Sequence, residues 1–146
     1  MPKQSLMSDD ELDANVEFFM NQHIGDTNKI DRWEMVEKIF NCIIPAHERN
    51  DDHPQDRAVR ESVSRLRKRG VLICDMGDGD GRYLASNWDE FIRFYGYFVK
   101  PISAKAQTAR AMLRSAKQKF PSGLQPSLFD SQPVMIEEFD DVVSVL

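Results

Sequence analysis

Residues 56–91 read DRAVRESVSRLRKRGVLICDMGDGDGRYLASNWDEF, and this stretch decides the fold. In its first half Val59, Val63 and Leu66 recur at the three- and four-residue spacing of a helix. Arg57, Arg60, Ser64, Arg67 and Lys68 lie broadly on the opposite side of the wheel and are expected to face solvent. The pattern predicts a helix over about 55–69, opened after Pro54 and closed by Gly70 as a C-terminal cap. VLICDM and RYLAS are short apolar runs, and the GDGDG between them supplies glycines that permit positive φ, so the two runs predict a hairpin. Asn87 or Ser86 then caps a last helical stretch from Trp88 to about Lys119. A kink or break is expected in it at Pro101, which lacks the amide donor.

Upstream, Ser8 and Glu11 form a capping box that opens a helix of about 9–23 with the stripe Leu12, Val16, Phe19 (with Met20) and His23. Gly25, Asp26 and Asn28 break it. Asp31 starts a second helix, about 31–40, with Trp33, Val36, Ile39 and Phe40 apolar. Beyond Phe120, prolines, serines and a glycine without periodicity read as a flexible tail. The expected organisation is an N-terminal helix (1–27), a central domain (28–87), a helical extension (88–120) and the tail (121–146).

At 146 residues, 41% of them hydrophobic, the chain has room for one ordinary domain with a real core. No apolar run approaches the roughly 18 residues of a membrane span, and the opening MPKQSLMSDDELD carries no apolar segment of a secretory signal. Two cysteines, Cys42 and Cys74, are too few for a disulfide framework and fit a reducing cytoplasm. The net charge of −5 is segregated: −8 over residues 1–56, +8 over 57–119 and −5 over 120–146. A basic middle between acidic ends suits a face that binds a polyanion.

Catalytic and metal chemistry is not expected. GDGDG is not a calcium loop, because with Gly81 at the loop glycine the first and last ligand positions fall on Met76 and Asn87. Cys42, His47 and His53 are irregularly spaced for zinc, and no Ser/His/Asp or Cys/His order is readable. The chain reads as a non-enzyme without cofactor or metal.

Two helices, an Arg-rich helix and a glycine-tipped hairpin follow one another in the order of a winged helix-turn-helix, whose helix before the hairpin enters the DNA major groove. The stretch resembles the winged-helix proteins common in phages and prophages of bacteria. The residues that carry the resemblance are Arg57, Val59, Arg60, Val63, Leu66, Arg67, Gly70 and Ile73, then Gly81, Tyr83, Leu84 and Ala85, within roughly residues 28–120. It implies duplex-DNA binding through Arg57, Arg60, Ser64, Arg67 and Lys68, whose cationic side chains suit phosphates and guanine edges. One departure is the hairpin itself, where Asp75, Asp78 and Asp80 accompany the single base Arg82.

In the tail, Gln125-Pro126-Ser127-Leu128-Phe129 resembles the bacterial pentapeptide Q-L-[SD]-L-F that docks proteins on the DNA polymerase sliding clamp. The resemblance implies that Leu128 and Phe129 fill an apolar pocket while Gln125 makes the orienting hydrogen bonds at the other end, with Ser127 at the [SD] position among the partner-binding residues and Pro126 replacing the usual Leu. The expected fold is therefore mainly α with a small β-hairpin: a winged helix with a two- or three-stranded wing sheet, a long C-terminal helical extension and a tail. Ile102, Ala109, Met112, Leu113 and Ala116 stripe the extension, which suggests a homodimer. The expected role is a DNA-binding accessory of the bacterial replication machinery, phage-encoded and located in the host cytoplasm. A transcriptional regulator and a non-DNA adaptor that captures the clamp are the alternatives.

Overall fold

The computed structural model of the chain describes residues 7–121. Its elements are α1 (Asp9–Met20), α2 (Arg32–Phe40), a 3-10 turn (Ala46–Glu48), α3 (Pro54–Lys68), β1 (Ile73–Asp75), β2 (Arg82–Leu84) and α4 (Trp88–Lys119). The described chain is thus mainly helical with one small antiparallel hairpin. It divides into two units, one ending at Phe94 and one beginning at Tyr95, with α4 running across the boundary. Among the described residues no helix is long and apolar enough to cross a membrane.

In the first unit α1 and α2 both pack on α3, so the N-terminal helix shares one core with the segments after it. Ser8 caps α1 by accepting from Glu11 N at 3.2 Å, and the acidic first turn suits the helix dipole. Leu12, Val16 and Met20 of α1, Met35, Val36 and Ile39 of α2, and Val59, Val63 and Leu66 of α3 form the core with Ile30, Ile44 and Ile73. Asp31 caps α2 through Trp33 N and Glu34 N. His53 caps α3 through Asp56 N, with Pro54 in the first turn, where a missing amide costs nothing. Gly70, at φ +94, closes the other end in the conformation predicted for it.

Two expectations are corrected. The first helix stops at Met20 rather than at about residue 23: Gln22 N and His23 N turn to three-residue bonds with Phe19 O and Met20 O, and the His23 carbonyl then accepts from Leu84 N at 2.8 Å. The break expected at Pro101 does not occur: the last helix continues unbroken to Lys119. Pro101 deprives the Tyr97 carbonyl of its helical donor, but both residues are exposed, so water can satisfy it.

The hairpin pairs Ile73 with Leu84, Cys74 with Tyr83 and Asp75 with Arg82. The far edge of β2 is covered by residues 23–30: Gly25 N donates to Leu84 O at 2.8 Å, and Ile30 and Arg82 exchange both backbone bonds at 2.9 Å. That segment acts as a third, interrupted strand and leaves β2 without an open edge.

Glu90, near the start of α4, ties this arrangement together. Asn87 caps α4 by accepting from Glu90 N at 2.9 Å. The Glu90 carboxylate accepts from Ser86 N, from Ser86 Oγ at 2.6 Å and from Asp26 N at 3.0 Å. These bonds, from the Ser86 hydroxyl first, hold its pKa at about 2, against an ordinary 4.5. Because the folded value is the lower one, the stabilisation is complete above pH 4.5 and is lost as pH falls toward 2. Glu90→Gln should therefore lower stability at pH 7 and flatten its fall between those two values. Thermal unfolding at pH 7, 4 and 2.5 checks this, and an acid slope equal to that of the wild type would exclude Glu90 as the titrating group.

Candidate nucleic-acid interface

The outer face of α3 is built by the same periodicity that buries its inner one. Val59, Val63 and Leu66 are sealed in the core, while Arg57, Arg60, Ser64 and Lys68 are exposed, with Glu61 the acid on that face. Arg57, Ser64 and Lys68 lie along one stripe, with Glu61 on the turn between the first two, and Arg60 flanks it. Among the described residues Arg57 and Lys68 engage in no ion pair, which leaves their charge to solvent or to an anion.

Arg60 is held in place from beneath. Its Nε donates to Asp56 Oδ2 at 2.9 Å and its Nη2 to the Asp51 carbonyl, yet 42% of its side chain stays accessible. Asp56 is fully buried and also takes a two-point bond from Arg32, with Nε to Oδ1 at 2.8 Å. Burial alone would raise the Asp56 pKa, but the bond from Arg32 and the charges of Arg32, Arg60 and Arg82 outweigh it and lower the value. A second buried carboxylate, Asp13 of α1, accepts from Ser62 Oγ at 2.6 Å and from Arg65 Nη2 at 2.8 Å, with Arg69 at 3.2 Å. The Arg65 bond is the main cause of its lowered pKa. Two buried acids thus fix α3 against α1 and α2, and Arg65 and Arg69 are committed largely to that fixing.

Arg67 departs from the expected placement. It is half-buried, its Nε donates to the Ile73 carbonyl at 2.9 Å, and its guanidinium lies 5.1 Å from the centre of the Phe94 ring. At 100° per residue it sits about 80° around the wheel from Arg57, on the margin of the exposed face, where a long side chain can turn inward. It joins α3 to β1 and α4 instead of facing solvent. Arg82, the one base of the hairpin, is also buried, with Asp75 at 4.0 Å and Met35 Sδ at 3.9 Å.

The hairpin tip is consequently acidic. Its aspartates serve the turn: Asp75 Oδ1 accepts from Gly77 N at 2.9 Å and Asp78 Oδ1 from Asp80 N at 3.0 Å. Lys29, at 3.9 Å from Asp80, is the cation nearest that tip in the described ion pairs.

The cysteines and histidines also have local duties. Burial pushes the Cys74 thiol up to about 11, which makes it a poor nucleophile at neutral pH. Cys42 Sγ lies 3.5 Å from Gln55 Oε1, His47 Nε2 3.8 Å from Glu48, and His53 caps α3 while its ring meets the edge of Trp33. The pentapeptide residues Gln125, Ser127, Leu128 and Phe129 lie outside the described residues. No protein-family model, curated protein or solved structure matches the chain.

Proposed function

We propose that this chain is a winged-helix DNA-binding protein that sets α3 in the major groove and carries, in its tail, a peptide for the bacterial sliding clamp. It would act as an accessory of the replication machinery. The observation that carries the DNA reading is the outward stripe of α3: Arg57, Arg60, Ser64 and Lys68 exposed on a helix locked from behind by Asp56 and Asp13. A groove-reading helix needs cationic and hydroxyl side chains on a rigid support, and this one has both. The order of α1, residues 23–30, α2, α3 and the hairpin is that of a winged helix, which supports the same reading.

The acidic hairpin tip would repel phosphate, so the wing stands away from the backbone and α3 bears the contact. Arg57→Ala with Lys68→Ala should lower the slope of log affinity against log salt by roughly two and leave the unfolding midpoint unchanged. Titration of duplex DNA at several salt concentrations checks this. An unchanged slope would remove α3 from the interface. The same acidic tip favours a second reading, an adaptor that holds the clamp without DNA, and absence of any salt-dependent binding to duplex DNA would select it.

A further inference from the structure

We infer that the acidic, apolar segment 134–146 docks on the apolar face of α4 in its own chain. The second unit begins with a helix of one-sided charge: from Tyr95 to Pro121 it carries Lys100, Lys105, Arg110, Arg114, Lys117 and Lys119 and no Asp or Glu. Along it Val99, Ile102, Ala106, Ala109, Leu113 and Ala116 recur at alternating spacings of three and four, a continuous apolar seam. Val99 and Ala106 on that seam are buried, whereas Ile102 is 37% exposed and Met112, next to Leu113 of the seam, 68%.

What covers the seam must match both its apolar centre and its basic flanks. A second copy of the stretch from Tyr95 to Pro121 would set six cations against six with no acid between them, which disfavours the pairing. Duplex DNA would meet the charge but leave the apolar seam against phosphates. Segment 134–146 meets both demands, because Ile136, Phe139, Val142 and Val143 alternate with Glu137, Glu138, Asp140 and Asp141 and no Lys or Arg occurs in it. Reach is not limiting. The twelve residues 122–133 span up to ~40 Å when extended, and the seam from Val99 to Ala116 is ~26 Å long at 1.5 Å per residue. Tethering presents the segment at an effective concentration on the order of millimolar, so a weak contact suffices.

Hydrogen–deuterium exchange of the full chain tests this without reference to DNA or clamp. Residues 98–116 should exchange roughly tenfold more slowly in the wild type than in Ile136→Asp/Phe139→Asp, with the first unit unaffected. The charge reversal Glu137→Lys/Glu138→Lys/Asp140→Lys/Asp141→Lys should lose the same protection, and a synthetic 134–146 peptide should restore it to either variant. Protection should not depend on protein concentration, and the wild type should sediment as a 16.9 kDa species. Equal exchange in the wild type and both variants overturns the docking. Protection that grows with concentration alongside a dimer mass overturns it in favour of a second copy.

Discussion

Replacing Leu128 and Phe129 together with Ala should abolish association with a bacterial sliding clamp at micromolar concentrations. Adjacent large apolar side chains dominate a small peptide interface, and each contributes about 1.5–3 kcal/mol on full burial. Losing both removes roughly 3–6 kcal/mol, which weakens a micromolar complex by about 10²- to 10⁴-fold and puts it beyond detection at micromolar concentrations. Pro126→Leu should act in the opposite direction, because it restores the apolar contact that the resembled pentapeptide has at that position. DNA binding should survive both changes, since α3 belongs to a separate part of the chain. Calorimetry with a peptide of residues 122–132 and a QLSLF control decides the matter. Heat from the control alone would end the clamp reading and leave transcriptional regulation as the better role for a DNA-binding chain.

Gly81→Ala should destabilise the first unit by about 3 kcal/mol or more, the largest stability effect expected of a single methyl group here. A Cβ at this position would lie 2.2 Å from the Ile30 carbonyl oxygen and 2.7 Å from its carbon, and φ is +115. Both obstacles are backbone, so no rotamer change relieves them. The displaced segment is 23–30, and its loss would expose the edge of β2 and break the Asp26 bond to Glu90. Gly79→Ala is the control. Its φ of +83 is also positive, but nothing lies within 4 Å of the added carbon, so only backbone strain of about 1 kcal/mol is expected. Urea unfolding of the two variants compares them. Equal midpoints would mean that residues 23–30 do not press on the hairpin.

Gly81 also shows where reading the chain reached its limit. Its place in the hairpin was legible, because glycines between two short apolar runs announce a turn. That it, unlike Gly79, must lack a side chain follows from Ile30, some fifty residues earlier in the chain, and no local pattern carries that information.

The sequence by itself determined the helices, their caps, the hairpin and the inner face of α3, since these depend on periodicity, on Ser8, Asp31, Pro54 and Gly70, and on neighbours within a turn or two. It also marked Arg57, Arg60, Ser64 and Lys68 as outward, because residues opposite a continuous apolar stripe have nowhere else to go. Tertiary structure alone decided which charges are committed. Asp13, Asp56 and Ser62 are buried, and the one local hint was that Ser62 and Asp13 fall beside core positions on their helices. Their partners come from other elements, as Arg32 does for Asp56 and Arg65 for Asp13. Arg67 and Arg82 turn inward for the same reason: a long flexible cation at the margin of a face goes where a carbonyl, a ring or a carboxylate awaits it, and only the packed chain places those groups.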